Sequence, residues 1–246
     1  MTASAAPLLA VERVSKRFRG LLAVDGVSFA VAPGDILAVI GPNGAGKTTL
    51  FNMIAGMLAP DEGSITFAGE RIAGLAPDAI CRRGIGRTFQ IVRPFPALSV
   101  EDNVVVGALL RHHDVGIARR HAVAVLERLD LIDKRTQPAS ALTLPDRKRL
   151  EVARALATEP RVLLLDEVMA GLRPTETDRM VAILAGLNRE SGLTIVLIEH
   201  VMRAVMALAR RVLVLHHGAA IADGPPAAVV REPAVIQSYL GEEALA

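Results

Sequence analysis

Gly41-Pro42-Asn43-Gly44-Ala45-Gly46-Lys47-Thr48-Thr49 follows the unbroken apolar run Ile36-Leu37-Ala38-Val39-Ile40 and opens a stretch with helical patterning. A strand, a glycine-rich bend and a helix that starts with Lys-Thr make the pattern of a phosphate-binding loop. Its three glycines let the backbone turn tightly, so that successive N–H groups and the positive end of the next helix converge on one anion. On this reading Gly41, Pro42, Asn43, Gly44, Ala45, Gly46, Lys47, Thr48 and Thr49 form a nucleotide cradle. Lys47 reaches the β- and γ-phosphates, and the Thr48 hydroxyl ligates Mg²⁺. A turn that binds nothing is the competing reading. The agreement of spacing, lysine, threonine and context weighs against it.

Outward from the loop, short apolar runs alternate with helical patterns, the signature of an α/β fold with a mostly parallel sheet covered by helices. Residues 8–14 and 27–31 read as initial antiparallel strands. Residues 36–40, 162–165, 194–198 and 211–215 read as core strands, and 218–222 as a last hairpin strand. Helices are expected at about 47–55 and at 174–189, the second with Pro174 in its first turn. From about 91 to 157 strand signals fade, and 100–110, 117–129 and 146–157 carry helical patterning. The expectation is one domain over 1–246, with a nucleotide-binding core at about 1–90 and 158–246 and an inserted helical lobe at about 91–157.

Arg161-Val162-Leu163-Leu164-Leu165-Asp166-Glu167 is a buried strand that ends in two adjacent carboxylates. Neighbours on a strand point to opposite faces, so the two acids can take different roles. Asp166 is placed to hold Mg²⁺ through its water, and Glu167 to orient and polarise the water that attacks a γ-phosphate. A guanine-reading Asn-Lys-x-Asp segment and an arginine-rich lid are both missing, which argues against a small GTPase and a nucleoside kinase. ATP hydrolysis coupled to mechanical work fits better.

Composition narrows the partners. Among 246 residues, 28 Lys and Arg against 26 Asp and Glu give a net charge of +2, and aromatics are only 3%, so no nucleic-acid partner is expected. A single cysteine, Cys81, rules out an internal disulfide and suits a reducing cytosol. Residues 1–7 lack the pattern of a signal peptide, so the chain is expected to stay inside the cell. Hydrophobic residues reach 51% and the mean hydropathy is +0.38. Yet Asp166-Glu167 and Glu199-His200 interrupt the long apolar stretches, so no membrane span is expected. The surplus apolar surface belongs in a buried sheet or against a partner protein.

Two further positions, Gln90 in Gly86-Arg87-Thr88-Phe89-Gln90 and His200 after Ile198-Glu199, complete an ordered set with the loop and the acid pair. Together these motifs resemble those of the ATP-binding subunits of ABC transporters, over essentially the whole chain. The resemblance implies that Gln90 contacts the metal and the attacking water and senses a membrane partner. It implies that His200 contacts the γ-phosphate and that Phe18 stacks on adenine. Leu142-Thr143-Leu144-Pro145-Asp146, with Arg147-Lys148-Arg149-Leu150-Glu151-Val152-Ala153-Arg154-Ala155 behind it, aligns with the family signature and places Thr143 at nucleotide. The loop departs from the usual Leu-Ser-Gly-Gly-Gln, and Pro145 has no N–H to donate. Locally, Thr143 and Asp146 have the spacing of a capping box. The cations of Arg147-Lys148-Arg149 stand where the helix dipole disfavours them, which suggests an anion nearby.

Gly84-Ile85-Gly86-Arg87-Thr88-Phe89-Gln90, Met169-Ala170-Gly171-Leu172 and the tail Glu232-Pro233-Ala234-Val235-Ile236-Gln237-Ser238-Tyr239-Leu240-Gly241 look like the ATPases of branched-chain amino acid importers. That class implies ATP and Mg²⁺ as ligands, a second ABC ATPase subunit that is a different chain, and two membrane permease subunits. It also implies, indirectly, a periplasmic solute-binding protein. The implied location is cytoplasmic, peripheral on the inner face of the bacterial cytoplasmic membrane. Val168, Arg173 and Val201 replace residues usual in the family. The alternative reading is a nucleotide-gated or non-transport ABC ATPase with weak turnover. Between Pro94 and Pro96, and in the residues around them, 91–98 exposes apolar side chains expected to receive a cytoplasmic helix of the membrane subunit.

Overall fold

Ile36–Ile40 forms a strand in which all five residues are buried, as a strand covered on both faces requires. The structure, a computed structural model, describes residues 6–89 and 94–243. Contacts divide the chain into two units, Met1–Ile80 with Thr194–Ala246, and Cys81–Leu193.

In the first unit, Ile36–Ile40 pairs in parallel with Thr194–Ile198 on one side and Arg211–His216 on the other. Arg211–His216 then turns back, antiparallel, into Ala219–Gly224. A second, antiparallel sheet has Leu9–Phe18 between Leu21–Val31 and Glu62–Phe67, with Glu70–Arg71 at its edge. Arg211 joins the two sheets. Its Nη1 donates to the Ala30 carbonyl at 2.8 Å, while Nε and Nη2 each donate to Asp223 at 2.5 Å.

In the second unit, Ile85–Arg87 pairs in parallel with Val162–Asp166. Four helices follow the expected order, Val100–Ala108, Val115–Arg128, Leu144–Leu156 and Pro174–Ser191. The first packs on the next two. At Gly107 an added Cβ would lie 2.5 Å from the Arg154 carbonyl, so only glycine permits that approach. Ser99 and Asp114 supply N-caps, accepting the N–H groups of Asp102 at 2.9 Å and Ile117 at 2.8 Å. The helices Val100–Ala108, Val115–Arg128 and Leu144–Leu156 of the expected lobe lie inside this unit, whose bounds, Cys81–Leu193, are wider than 91–157. No helix among the described residues is long and apolar enough to cross a membrane.

Several elements lack a sequence signal. Glu62–Phe67 buries only Ile65 and Phe67. Near its start Gly63 sits at φ 85°, where a Cβ would come within 2.3 Å of the Arg13 carbonyl. Ile85–Arg87 is three residues with a central glycine, too short to show a period. Conversely, the first two strands run longer than their apolar cores, because both stay paired, through register shifts between Val11 and Arg17, to the turn between Phe18 and Leu21.

Asn103, with no exposed surface, fastens the turn that precedes its own helix. Its Nδ2 donates to the carbonyls of Phe95 at 3.0 Å and Ser99 at 2.9 Å, and its Oδ1 accepts the Phe95 N–H at 2.8 Å. Asn103→Ala removes the partner of these part-buried backbone groups. The expected loss is about 2–4 kcal/mol of unfolding free energy, read from urea denaturation; a loss below ~1 kcal/mol would show that water replaces the amide.

Candidate functional site

The glycine-rich loop leaves the buried strand at Gly41 and enters the helix Lys47–Ile54. Gly41 has φ 145°, and a Cβ there would lie 2.0 Å from the Leu215 carbonyl. Gly46, at φ 100°, would place one 2.3 Å from the Ala23 carbonyl. Both positions are closed to any side chain, so the bend depends on the absence of one. Lys47 is buried, and its ammonium donates back into the loop, to the carbonyls of Gly41 at 2.6 Å and Pro42 at 2.8 Å. No side chain caps the helix start and no acid occupies its first turn. Uncapped N–H groups, a helix dipole and a fixed cation therefore meet at one place, which suits a phosphate. Asn43, Gly44 and Thr48 are exposed there, while Pro42 and Ala45 are buried and Thr49 is half-buried.

In the same unit, Phe18 ends its strand with 42% of its surface exposed and the Lys16 ammonium 5.9 Å from its ring centre. It is not a core residue. His200 is exposed just beyond the strand Thr194–Ile198, after the buried Glu199. The next helix, Met202–Leu208, starts from Val201 without a side-chain cap, so His200 does not cap it. Gln90 lies outside the described residues.

In the second unit, Asp166 closes the strand Val162–Asp166 and is 1% exposed. Arg87 Nη2 donates to its Oδ2 at 3.2 Å, and its own N–H donates to Thr88 Oγ1 at 3.0 Å. Oδ1 is buried with no hydrogen-bond partner among the described residues. Burial raises the Asp166 pKa, against the opposing pull of the Arg87 guanidinium. A buried carboxylate oxygen with nothing to donate to it fits a cation or a cation's water. Glu167, next along, has φ 50°, a left-handed conformation that a side chain disfavours. Lys148 Nζ donates to its carbonyl at 2.9 Å and holds that peptide in place. Strain of this kind gathers at functional positions.

A family model described as ABC transporter matches residues 24–170. The chain is 40% identical over 252 residues to the high-affinity branched-chain amino acid transport ATP-binding protein BraF of Pseudomonas aeruginosa, covering 96% of this chain and 98% of that one. The chain belongs to the ABC transporter family. LivG of Escherichia coli, with the same description, is 39% identical at the same coverage. A second model, for a branched-chain amino acid ATP-binding cassette transporter, matches residues 221–244. Among solved structures, the ADP conformation of an ATP-binding cassette of an ABC transporter superposes with a TM-score of 0.88 at 30% identity, covering 96% of this chain and all of that one. The fold is accordingly that of a P-loop ABC cassette.

The signature segment of this ABC cassette differs from its sequence expectation. Thr143 stands at the N-cap of Leu144–Leu156 but makes no cap bond. Its hydroxyl donates instead to Asp146 Oδ2 at 2.8 Å, because Asp146 is drawn inward by Lys134 and Arg149, both of which donate to it. The expected capping box does not form. Nor do the cations call for a docked anion. Arg147 Nε donates to the Leu142 carbonyl at 2.8 Å, Lys148 to Glu167, and Arg149 Nη1 to the carbonyls of Asp130 at 3.0 Å and Leu129 at 3.3 Å. Each cation is occupied within the fold. Thr143, Pro145, Asp146, Arg149, Lys134 and Glu176 line a pocket of about 170 Å³. Arg173, largely exposed, pairs with Glu176 at 2.7 Å at the start of Pro174–Ser191.

Burial of Asp146 favours its neutral form, but the hydrogen bonds from Lys134, Thr143 and Arg149 reverse this and lower its pKa below 3.8. A carboxylate whose folded pKa is depressed adds stability above its unfolded pKa and loses it as pH falls through the folded one. Asp146→Asn leaves the buried Arg149 with Asp130, at 3.9 Å, as its remaining counter-charge, an expected cost of about 3 kcal/mol at pH 7, the low end for a broken buried pair. In urea unfolding, the gap between this variant and the unsubstituted protein should narrow as pH falls from 5 towards 2. A gap that does not change with pH would rule out this assignment of the charge.

Proposed function

We propose that this ABC cassette hydrolyses ATP to energise an importer of branched-chain or related amino acids. The observation that carries the hydrolytic part is the buried, unpartnered Asp166 oxygen beside the strained Glu167. The solute class rests on BraF and LivG, whose names give branched-chain amino acid transport, and on the matching C-terminal segment.

Lys47 and the N–H groups of Gly41–Thr49 bind the β- and γ-phosphates, and Phe18 packs on the adenine. Thr48 and Asp166, with Gln90, hold Mg²⁺, which supplies Lewis-acid neutralisation of the phosphate oxygens when bound. Glu167 orients a water and takes its proton as the water oxygen bonds to the γ-phosphorus and the bond to the bridging oxygen breaks. His200 donates to the γ-phosphate, and Thr143 serves the nucleotide held by a partner cassette. The partners are a second, different ABC ATPase subunit and two membrane permeases fed by a periplasmic solute-binding protein, with the chain on the cytoplasmic face of the membrane.

Glu167→Gln is expected to bind ATP as tightly as the unsubstituted chain while turnover falls at least 100-fold, because the phosphate cradle is untouched. Lys47→Ala is expected to weaken nucleotide binding itself. Equilibrium binding and steady-state phosphate release, measured with the partner subunits, separate the two. Normal turnover in Glu167→Gln would remove it from the chemistry.

The permease surface is read from Phe95 and Leu98, exposed at 44% and 39%, with the Arg154 guanidinium 5.0 Å from the Phe95 ring. Residues 91–93 of the same segment lie outside the described residues. Phe95→Asp should release the chain from permease-containing vesicles and abolish transport with ATP binding unchanged. Full attachment and normal transport would make Phe95 a packing residue only.

A further inference from the structure

We propose that His112, His121 and Glu159 form a binding site for one borderline divalent cation of the zinc class, sharing no residue with the nucleotide machinery. One ligand atom from each lies within 4.8 Å of the other two. The three come from separate segments of the second unit. His112 follows the turn after Val100–Ala108, His121 lies on Val115–Arg128, and Glu159 lies between Leu144–Leu156 and the strand that ends at Asp166. His112 and Glu159 are 47 positions apart in sequence, so the cluster is a product of folding.

Its spacing suits a small ion. Glu159 Oε1 stands 2.6 Å from His112 Nε2 and 3.7 Å from His121 Nδ1. Donors held about 2.0–2.1 Å from a tetrahedral ion stand about 3.3 Å apart, so small side-chain rotations bring this set to a common centre. The two rings are 5.0 Å apart and tilted by 47°, converging rather than stacking.

His121 is the group the protein leaves unused. Its Nε2 is buried without a hydrogen bond among the described residues, and its Nδ1 is beyond hydrogen-bond distance of Glu159. In the tautomer protonated at Nε2, the Nδ1 lone pair, 3.7 Å from Glu159 Oε1, is available to a metal. Glu159 is itself held at φ 52°. All three side chains keep partial exposure, at 27%, 27% and 44%, so an ion can enter and water can complete the shell. Two imidazoles and one carboxylate select zinc-class ions over Mg²⁺ and Ca²⁺, which prefer oxygen ligands throughout. The bound ion would tie three segments together and stabilise the fold by mass action.

The test uses the full chain without a polyhistidine tag, stripped with a chelator and free of nucleotide. Titration with Zn²⁺ should show one tight equivalent and a raised melting temperature, and Mg²⁺ should show neither. His121→Ala and Glu159→Gln should each weaken Zn²⁺ binding by at least about 100-fold, since loss of an outer-shell partner alone costs about 10–100-fold. Their melting in chelator should stay near that of the unsubstituted chain. If His121→Ala does not fold, His112→Asn replaces it. Failure of the unsubstituted chain to bind Zn²⁺, or undiminished binding in these variants with the adjacent His216 and His217 as the holders, would overturn the site.

Discussion

Burial of the central strands on both faces is the constraint from which the rest follows. Ile36–Ile40, Val162–Asp166 and Thr194–Ile198 offer no exposed side chain along their length. Polar chemistry is therefore pushed to the residues at their C-terminal ends. Those residues are Gly41 and its loop, Asp166 with Glu167, and Glu199 with His200. Parallel sheets concentrate binding groups at that edge for this reason. The apolar composition and the reactive positions are thus two results of one packing arrangement.

The loop and the core strands were legible in the sequence because their constraints are local. Five consecutive apolar residues announce a doubly covered strand, and glycines at Gly41 and Gly46 are demanded by carbonyls that leave no room for a Cβ. The signature segment was not legible, since Thr143 and Asp146 have capping-box spacing in either outcome. What redirects Asp146 is Lys134 and the buried Arg149, brought in by tertiary packing. The cations of 147–149 misled for a related reason. A sequence shows charge near a helix start but not the carbonyls of Leu129, Asp130, Leu142 and Glu167 that receive it. His112, His121 and Glu159 carry no motif spacing, so only the fold brings them together.

Phe18 shows the intermediate case. The role that the resemblance implies needs an exposed ring, and its exposure sets Phe18 outside the core. His200 is similar, as Met202–Leu208 begins without its help.

The bond from Lys148 to the Glu167 carbonyl gives the second unit a mechanical coupling. A left-handed conformation costs a non-glycine residue about 1–2 kcal/mol, so Glu167 stays there only while its surroundings hold it. Lys148 is anchored on the first turns of Leu144–Leu156, the helix that begins at the signature segment. A shift of that helix by a fraction of its rise would slacken the tether and let the peptide relax. The backbone setting of Glu167 is therefore tied, through Lys148, to the axial position of the helix that begins at the signature segment.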